Sequence, residues 1–544
     1  MQTPILGSAY VARSPNAAES RMVNMFPEVV PEGGKQPAFL QRAPGLTLRT
    51  RVGQGPIRGM WQHGAYLYVV SGDTFYRVDS NYIATAKGTV ANQSIVSMSD
   101  NGTQIFIAAN PISYIYNTVT DTFGQILDPD FPGAATVGFL DGYFVFTPPN
   151  SQRIWVTQLL DGTSINPLDF ASAEGNPDDI VSMIVDHREV WLFGTVSTEV
   201  WYNAGGADFP LLRIQGAFNE LGCAARYSVA RMNNQIYWLG KDGRGQGIVY
   251  ATNGYQGQRV STHAVEWQIQ QYGSLSDAIS FTYQQDGHSF YVLTFPSANR
   301  TWCYDAATGA WHERNGWADQ WTRYRGVTQA FFNNENVVGD FENGNIYAVD
   351  QDSYSYGGET QRWLRSWRAL PTGENTLART AHHALQLDCE TGVGREQYPS
   401  NDVEVTLATE DGISIVAEYV QNDLVTEDGF TLTTEANDGF ETLVDAPDLP
   451  YPFIPPMYLT TTTYPALPGY DPQVMLRWSD DGGHTWSNEH WRSMGKIGAF
   501  GYRTIWRRLG MTMKIRDRVY EVSGSDPIKL AIMGAELQLS DTDG

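Results

Sequence analysis

Short apolar and aromatic runs recur along residues 55–358, separated by turns that contain Gly, Asn or Asp. Seven of these runs align as the first strands of repeated units: YLYVV from Tyr66, QIFIA from Gln104, YFVFT from Tyr143, VWLFG from Val190, IYWLG from Ile236, FYVLT from Phe290 and the weaker NVVGD from Asn336. A second run follows within each unit, as TFYRVD from Thr74 follows the first. Runs of this length, rich in aromatic and β-branched residues, predict antiparallel strands joined by tight turns.

The aligned runs recur every 38 to 54 residues. A period of this size, with repeated antiparallel strands, is typical of propeller blades, whose small sheets bury their faces by stacking on one another. The alternative is a string of β-sandwich domains, but no framework of Cys and Trp marks such modules. We therefore predict an all-β protein built around a six- or seven-bladed β-propeller.

Alternating apolar and polar positions continue beyond residue 360, as in VMLRW from Val474, and predict an additional C-terminal β-sandwich-like domain. We expect four parts: residues 1–50 as an extended N-terminal arm, 51–360 as the propeller, 361–395 with 470–540 as the C-terminal β domain, and 396–469 as an acidic, β- and Pro-rich insertion in it. The arm has few alternating apolar runs, which suits contact with another surface such as a further copy. Its second half would equally well complete the first blade.

The formal net charge of −24 is unevenly distributed along the chain. Residues 396–470 hold fourteen acids and no Lys or Arg, whereas residues 491–518 hold eight Lys or Arg and one acid. This asymmetry indicates two surfaces with different neighbours, and the overall charge argues against a protein that wraps nucleic acid. The first residues show no signal-peptide pattern, and the three cysteines have neither disulfide nor zinc spacing. We therefore expect folding in a cytoplasm, with reduced and buried thiols.

The sharpest local motif is an Asp-box-like turn, SDDGGHTW, at residues 479–486. Its pattern residues are Ser479, Asp481, Gly483, Thr485 and Trp486. In such a turn the aspartate accepts backbone N–H bonds, the glycine adopts positive φ and the tryptophan packs beneath. The motif therefore predicts a structural hairpin and no catalysis.

The sequence contains few candidate motifs for catalysis or metal binding. The sequence has no G-x-S-x-G elbow, Walker loop, HExxH or clustered Cys/His pattern, so we predict no catalytic residues, no cofactor and no metal. Two other functions stay open at this point. One is a propeller-based glycan hydrolase, which would need further Asp boxes and an arginine cluster. The other is a receptor-binding tail component that acts through the insertion.

Three segments resemble the packaged-DNA stabilisation proteins, or tail nozzle proteins, of short-tailed (podovirus-type) bacteriophages. They are VNMFPEVVPEGGKQPAFLQRAPGL from Val23, HHALQLDCETGVG from His382, and the stretch Asp471 to Gly510 with its continuation from Arg516 to Ala535. The last pair is the most specific, because its order and spacing are hard to reach by chance. The acidic insertion between Gly394 and Asp471 departs from the family pattern.

The resemblance implies a structural virion protein without enzymatic activity. It implies a homohexameric ring below the portal and its adaptor, which lines the DNA exit channel and helps to retain packaged DNA. The implied partners are further copies of the chain, head-to-tail adaptor proteins, tail fibre or spike proteins, the tail needle or tip, and double-stranded DNA that passes without sequence specificity. We expect the protein in the virion tail after assembly in the bacterial host cytoplasm, with the insertion available to contact the host cell surface.

The charge pattern suggests where such contacts lie. An acidic wall repels DNA, so we hypothesise that acidic residues face the channel and let the genome slide. The basic segment from Arg492 to Arg518 would then contact a neighbouring protein or DNA phosphate. The candidate contact residues are Arg492, Lys496, Arg503, Arg507 and Arg508. The alternative is an ordinary solvated face.

Overall fold

The computed structural model describes residues 1–14, 19–91, 93–173, 175–206, 209–241, 245–371, 379–394, 405–408, 414–417, 423–425, 431–433, 458–460, 469–512 and 518–541. These residues form fifty strands and one helix, which confirms the all-β prediction. No described helix combines the length and the apolar character needed to cross a bilayer. The chain divides into a main unit, Met1–Glu390 with Gln473–Arg492 and Arg503–Gly544, and a second unit, Thr391–Pro472 with Ser493–Tyr502.

The N-terminal segment contains six short strands. They are β1 (Tyr10–Val11), β2 (Glu19–Ser20), β3 (Met22–Val23), β4 (Met25–Val29), β5 (Ala38–Arg42) and β6 (Gly45–Arg51). β1 and β2 pair with each other, whereas β3 to β6 join larger sheets described below.

Four four-stranded antiparallel meanders follow in chain order. Sheet 1 is β7 (Ile57–His63), β8 (Tyr66–Ser71), β9 (Thr74–Val78) and β10 (Ala84–Thr89). Sheet 2 is β11 (Ser97–Asp100), β12 (Gln104–Ala108), β13 (Ser113–Asn117) and β14 (Thr122–Gln125). Sheet 3 is β15 (Thr136–Leu140), β16 (Tyr143–Thr147), β17 (Arg153–Val156) and β18 (Phe170–Ser172). Sheet 4 is β19 (Ile180–Asp186), β20 (Glu189–Gly194), β21 (Thr198–Asn203) and β22 (Leu211–Asn219).

Three further sheets continue the series. Sheet 5 is β23 (Gly222–Cys223), β24 (Ala230–Met232), β25 (Gln235–Lys241), β26 (Gln246–Asn253) and β27 (Gln256–Arg259), followed by helix α1 (His263–Gln270). Sheet 6 begins with β28 (Ile279–Gln285), β29 (His288–Phe295), β30 (Arg300–Asp305) and β31 (Ala310–Glu313). A hairpin of β32 (Asn315–Ala318) and β33 (Gln320–Arg323) leads to sheet 7, which contains β34 (Gly326–Phe332), β35 (Glu335–Asp340) and β36 (Asn345–Asp350).

Apolar cores lie between successive sheets. Sheets 1 and 2 share a cluster that includes Tyr68, Phe75 and Tyr116, and the pairs that follow along the chain share comparable clusters. The last and first sheets also share one, which joins Val337 of sheet 7 to Val69 of sheet 1. Each small sheet therefore buries both faces against its neighbours, as a propeller requires.

The aromatic runs aligned in the sequence are strands β8, β12, β16, β20, β25, β29 and β35. In the hydrogen-bonded order, each of them is the second strand of its sheet. The prediction that these runs are the first strands is therefore wrong. The true first strands carry weaker patterns, such as SMSD in β11. Second strands are buried on both faces and therefore read as continuous apolar runs, which made them the visible part of each repeat.

The remaining strands build the C-terminal part. In the main unit they are β37 (Ser355–Tyr356), β38 (Glu359–Thr360), β39 (Trp363–Arg368), β40 (Thr380–Cys389), β46 (Gln473–Ser479), β47 (His490–Ser493), β48 (Thr504–Arg507), β49 (Val519–Gly524) and β50 (Ala531–Asp541). Between β40 and β46 the second unit contributes β41 (Val405–Ala408), β42 (Ser414–Ala417), β43 (Asp423–Val425), β44 (Thr431–Thr433) and β45 (Tyr458–Thr460). Most of the predicted insertion, with its repeated TEDG turns, lies outside the described residues.

The N-terminal segment contributes strands to three of the larger sheets. β3 pairs with β31 and with β39, so sheet 6 continues as one nine-stranded sheet in the order β28-β29-β30-β31-β3-β39-β49-β46-β47. β4 and β5 belong to a five-stranded sheet, β4-β5-β50-β40-β48, and β6 joins sheet 7, where it pairs with β36 on one side and with β37 on the other. The propeller and the C-terminal sheets are thus joined by shared backbone hydrogen bonds. The domain limits at residues 50, 360, 395 and 470 remain predictions.

A buried histidine links the N-terminal segment to the propeller. His288 Nδ1 lies 2.8 Å from Asp305 Oδ2, and His288 Nε2 lies 2.5 Å from Glu28 Oε2. Asp305 is fully buried and also accepts hydrogen bonds from the Ala307 N–H and the Thr308 hydroxyl. The hydrogen bond that the His288 ring donates to the Asp305 carboxylate stabilises the charged imidazole and raises the pKa of His288 to about 9.

This raised pKa predicts a pH dependence of stability. An unfolded histidine titrates near pH 6.5, so the folded state binds the proton more tightly. The contribution to the free energy of unfolding is therefore complete below about pH 6.5 and is lost as the pH rises through about 9. Denaturation of wild type and His288→Gln at several pH values tests this. We expect the stability difference between them to shrink as the pH rises; a constant or growing difference would contradict the assignment.

Candidate functional site

The Asp-box-like turn lies between β46 and β47. Asp481 Oδ1 accepts the N–H groups of His484 and Thr485, each at 2.9 Å, and Asp481 Oδ2 accepts the Thr485 hydroxyl at 2.6 Å. The Ser479 hydroxyl donates to Asp481 Oδ1 at 2.6 Å and accepts from the Gly483 N–H. The bonds from Ser479 and Thr485 hold the pKa of Asp481 well below its usual range. The carboxylate is thus engaged in organising the turn.

The other two motif residues close this arrangement. Gly483 has φ +103°, a conformation that side chains other than glycine rarely adopt. The half-buried Trp486 ring lies beneath the Arg477 guanidinium, whose central carbon is 4.7 Å from the ring centroid. Arg477 in turn pairs with Glu521 of the neighbouring strand β49 at 2.5 Å. The turn is thereby connected to the nine-stranded sheet.

Replacing Asp481 with alanine is expected to cost about 1 kcal/mol of unfolding free energy. Four hydrogen bonds to the carboxylate are lost, but the turn is exposed, so water replaces much of their strength. Chemical denaturation measures the effect. Asp73→Ala is the matched control, because Asp73 is exposed and its carboxylate accepts only the Thr74 hydroxyl among the described residues. Equal effects in the two variants would show that the turn is not organised by Asp481.

Four of the five predicted basic contact residues lie together on the main unit. Arg492 lies in β47, Arg507 ends β48, and Arg503 and Arg508 flank β48; all four are exposed. Thr504 and Trp506 of β48 are buried, so Arg507 projects from the opposite, outer face. We call Trp491, Arg492, Arg503, Arg507 and Arg508 the basic edge.

Local contacts bring the two strands of the basic edge side by side. The Arg492 Nε donates to the Ile505 carbonyl at 3.2 Å, and the Trp506 indole N–H donates to the His490 carbonyl at 2.8 Å. Arg503 Nε donates to the side-chain oxygen of Gln386 at 3.1 Å. Strand β48 extends by roughly 3.3 Å per residue, so Arg503 and Arg507 span one short surface.

Two members of the basic segment are placed differently. Lys496 belongs to the second unit, where its Nζ lies 4.5 Å from the centroid of the Tyr470 ring. Arg518 is buried and forms a two-point ion pair with Asp480 at 2.6 and 2.9 Å. Arg518 therefore stabilises the sandwich and is not part of a contact surface. Lys514 and Arg516 lie outside the described residues.

Our sequence analysis missed a cavity that is lined by the first strands of several propeller sheets. Its volume is about 560 Å³, and its lining includes Ile57, Val181, Ile279 and Val327 from the first strands of four different sheets. Arg58 is buried beside it and donates to the carbonyls of Ser94 and Gly72, each at 2.7 Å. The sequence signal for this cavity lay in the first strands, whose hydrophobic pattern is too weak to be recognised.

No cluster of three or more His, Cys, Asp or Glu side chains suited to a metal occurs in the described parts of the chain. The three cysteines are buried and free. Burial raises the pKa of Cys223 to about 11 and those of Cys303 and Cys389 to about 12, so the thiols remain protonated near neutral pH.

Comparison with known proteins gives two matches to one family. Residues 1–354 match the family model described as bacteriophage P22 Gp10, beta-propeller, and residues 457–540 match that of bacteriophage P22 Gp10, beta-sandwich. No curated protein sequence matches significantly. The propeller and the sandwich predicted from the sequence are thus confirmed, in the predicted order.

Solved structures are similar only at the level of a weak overall superposition. The computationally designed Ika8 protein is 12% identical, with 56% of this chain and 99% of that chain covered and a TM-score of 0.36. The N-terminal domain of Nup159 is 10% identical, with coverages of 59% and 98% and a TM-score of 0.34. The extracellular domain of BT4673 from B. thetaiotaomicron is 11% identical, with coverages of 75% and 61% and a TM-score of 0.39.

The first family match alone covers residues 1–354 of the 544. The family is structural and not enzymatic, which removes the glycan hydrolase alternative. The chain therefore belongs to the P22 Gp10 family of tail nozzle, or packaged-DNA stabilisation, proteins of short-tailed bacteriophages, and is a structural component of the virion tail.

Proposed function

We propose that six copies of this chain form a ring at the tail axis, below the portal and its adaptor, and that double-stranded DNA leaves through the channel between them. The observation that carries this proposal is the nine-stranded sheet that runs from the propeller into the sandwich through β3. A shared sheet makes the two parts one stiff body, because bending there would break backbone hydrogen bonds. A stiff wedge suits a ring that must withstand the pressure of a packed genome.

The size of the propeller cavity supports a channel between copies. A volume of about 560 Å³ matches the range of small-molecule sites and is far too small for a DNA duplex. DNA would therefore pass along the ring axis and not through a propeller. Each copy adds a net charge of −24, so the ring would repel phosphate and keep the genome from sticking.

The nearest partners on this proposal are further copies and the head-to-tail adaptor proteins. Tail fibre or spike proteins and the tail needle or tip would bind the outer and distal faces. Assembly would take place in the bacterial host cytoplasm, where the three buried thiols stay reduced. The ring would close the channel after packaging and so help to retain the DNA.

A phage with a nonsense codon in the gene for this chain tests the retention role. We expect such particles to package DNA and then lose it, and expect a plasmid copy of the wild-type gene to restore DNA-filled particles. The plasmid copy carrying Arg51→Glu, an exposed position distant from the basic edge in sequence, should restore them equally. Stable, DNA-filled particles without the protein would refute the retention role.

A further inference from the structure

The basic edge is the place where both sandwich sheets end. β47 is the last strand of the nine-stranded sheet and β48 is the last strand of the five-stranded sheet. The bonds from Arg492 to the Ile505 carbonyl and from Trp506 to the His490 carbonyl hold these terminal strands together. Terminal strands leave backbone groups unpaired and are open to a binding partner.

The arginines of the basic edge have no carboxylate partner among the described residues. Arg492 is bonded to the carbonyls of Trp491 and Ile505, and Arg503 to the neutral side chain of Gln386. In a chain with 60 acids and 36 Lys or Arg, four neighbouring arginines without a carboxylate partner in the described parts of the chain are unexpected. Trp491 is 50% exposed beside them. Exposed tryptophan with arginine is the composition of a protein interface.

The same chain carries a segment of complementary chemistry. Residues 396–470 contain fourteen acids and no Lys or Arg, and they end in the apolar, aromatic run LPYPFIPPMYLT from Leu449. The two family matches stop at residue 354 and resume at residue 457, so most of this acidic segment lies outside both. Its charge matches the arginines and its aromatic end matches Trp491.

We infer that the acidic segment of one copy binds the basic edge of the next copy; this rests on the proposed ring. Head-to-tail contacts between identical copies require two different, complementary surfaces on every chain. Here one surface is positive and the other negative, so each copy supplies both halves of one contact. DNA is the less favoured occupant, because a chain of net charge −24 repels a polyanion and an exposed tryptophan gains little from phosphate.

Two variants test the basic edge and the acidic segment separately. In the edge variant, Arg492, Arg503, Arg507 and Arg508 are all replaced by glutamate. In the segment variant, residues 396–468 are replaced by a short Gly-Ser linker. The linker can be short because the ends of the segment lie together: a Cβ on Gly394 would be 3.2 Å from the Gly469 carbonyl oxygen. Arg51→Glu is the control, and circular dichroism and thermal melting establish that each variant is folded.

Sedimentation velocity of the full chain provides the readout. We expect wild type and Arg51→Glu to self-associate, and each of the two variants alone to self-associate at least about 100-fold more weakly. An equimolar mixture of the two variants should form a 1:1 complex, because one supplies the acidic segment and the other the basic edge. That complex should weaken as salt rises.

Three results would overturn the inference. The first is a variant that assembles like wild type, or a mixture that stays monomeric although wild type assembles. The second is an edge variant that assembles normally but no longer binds a short DNA duplex, which would make the edge a DNA contact. The third is a segment variant that forms rings but fails to adsorb to host cells. A wild-type chain that remains monomeric at every concentration would count against the ring itself.

Discussion

Replacing Arg42 with methionine is expected to lower the free energy of unfolding by about 4 kcal/mol. Arg42 is fully buried at the end of β5, and burial lowers its pKa to about 10. Its guanidinium donates to the side-chain and main-chain oxygens of Gln361 and to the carbonyls of Tyr354, Asp526 and Ile528. Removing the guanidinium leaves these buried acceptors unpaired, and each costs about 1–3 kcal/mol if nothing replaces it.

The position of Arg42 explains why the effect should be large. It joins the N-terminal segment to the turn after β36 and to the loop before β50, so three distant parts of the chain share one side chain. Chemical denaturation of Arg42→Met against Arg51→Met measures the effect. Arg51 is exposed, and among the described residues its side chain donates only to Gln54, at 3.3 Å, so its replacement should change stability by less than about 0.5 kcal/mol. Similar losses in both variants would contradict the role given to Arg42.

Replacing Trp238 with alanine is expected to cost about 4 kcal/mol. Trp238 lies on β25, is 1% exposed, and fills the core between sheets 4 and 5. Its ring packs against Phe193 and Tyr250 at centroid distances of 5.2 and 5.7 Å, and its indole N–H donates to the Gly222 carbonyl at 3.2 Å. The substitution leaves a large cavity in the core that these two sheets share.

Trp491 provides the control for this substitution. The same change at Trp491 removes a side chain that is 50% exposed on the basic edge and should alter stability by less than about 0.5 kcal/mol. Thermal and urea unfolding of the two variants give the comparison. A small loss in Trp238→Ala would mean that the inter-sheet core does not hold sheets 4 and 5 together.

The strands that the sequence predicts best are those buried on both faces. FYVLT from Phe290 lies within β29, in which every residue is buried, so its apolar run is continuous and easily recognised. The first strands escape recognition because they line the axis with mixed residues, as in SMSD of β11. Periodicity therefore revealed the repeat but misplaced it by one strand within each sheet.

The place of the N-terminal segment could not be read from local pattern. β6 pairs with β36, so that Leu46 lies opposite Val349, about three hundred residues later in the chain. β3 likewise finds its partners in β31 and β39. Such pairings depend on the folded propeller, whereas the composition of the segment indicates only a lack of core of its own.

The Asp481 turn and the basic segment also differ in how much of their structure the sequence predicts. The hydrogen bonds that Asp481 and Ser479 form in the turn lie within seven residues, so the motif alone predicted them. The basic segment is continuous in sequence but not in space. Arg518 is buried and pairs with Asp480 in the turn after β46, whereas Arg492 and Arg507 are exposed on neighbouring strands. Only the fold distinguishes a buried ion pair from an exposed surface.

Cryo-electron microscopy of virions tests the central claim most directly. We predict a six-fold ring at the tail axis, beyond the adaptor, in which each subunit fits the propeller and sandwich joined by the nine-stranded sheet. We further predict that the DNA channel runs between the subunits. A tail axis without this chain, or a single copy attached to the side of the tail, would contradict the account.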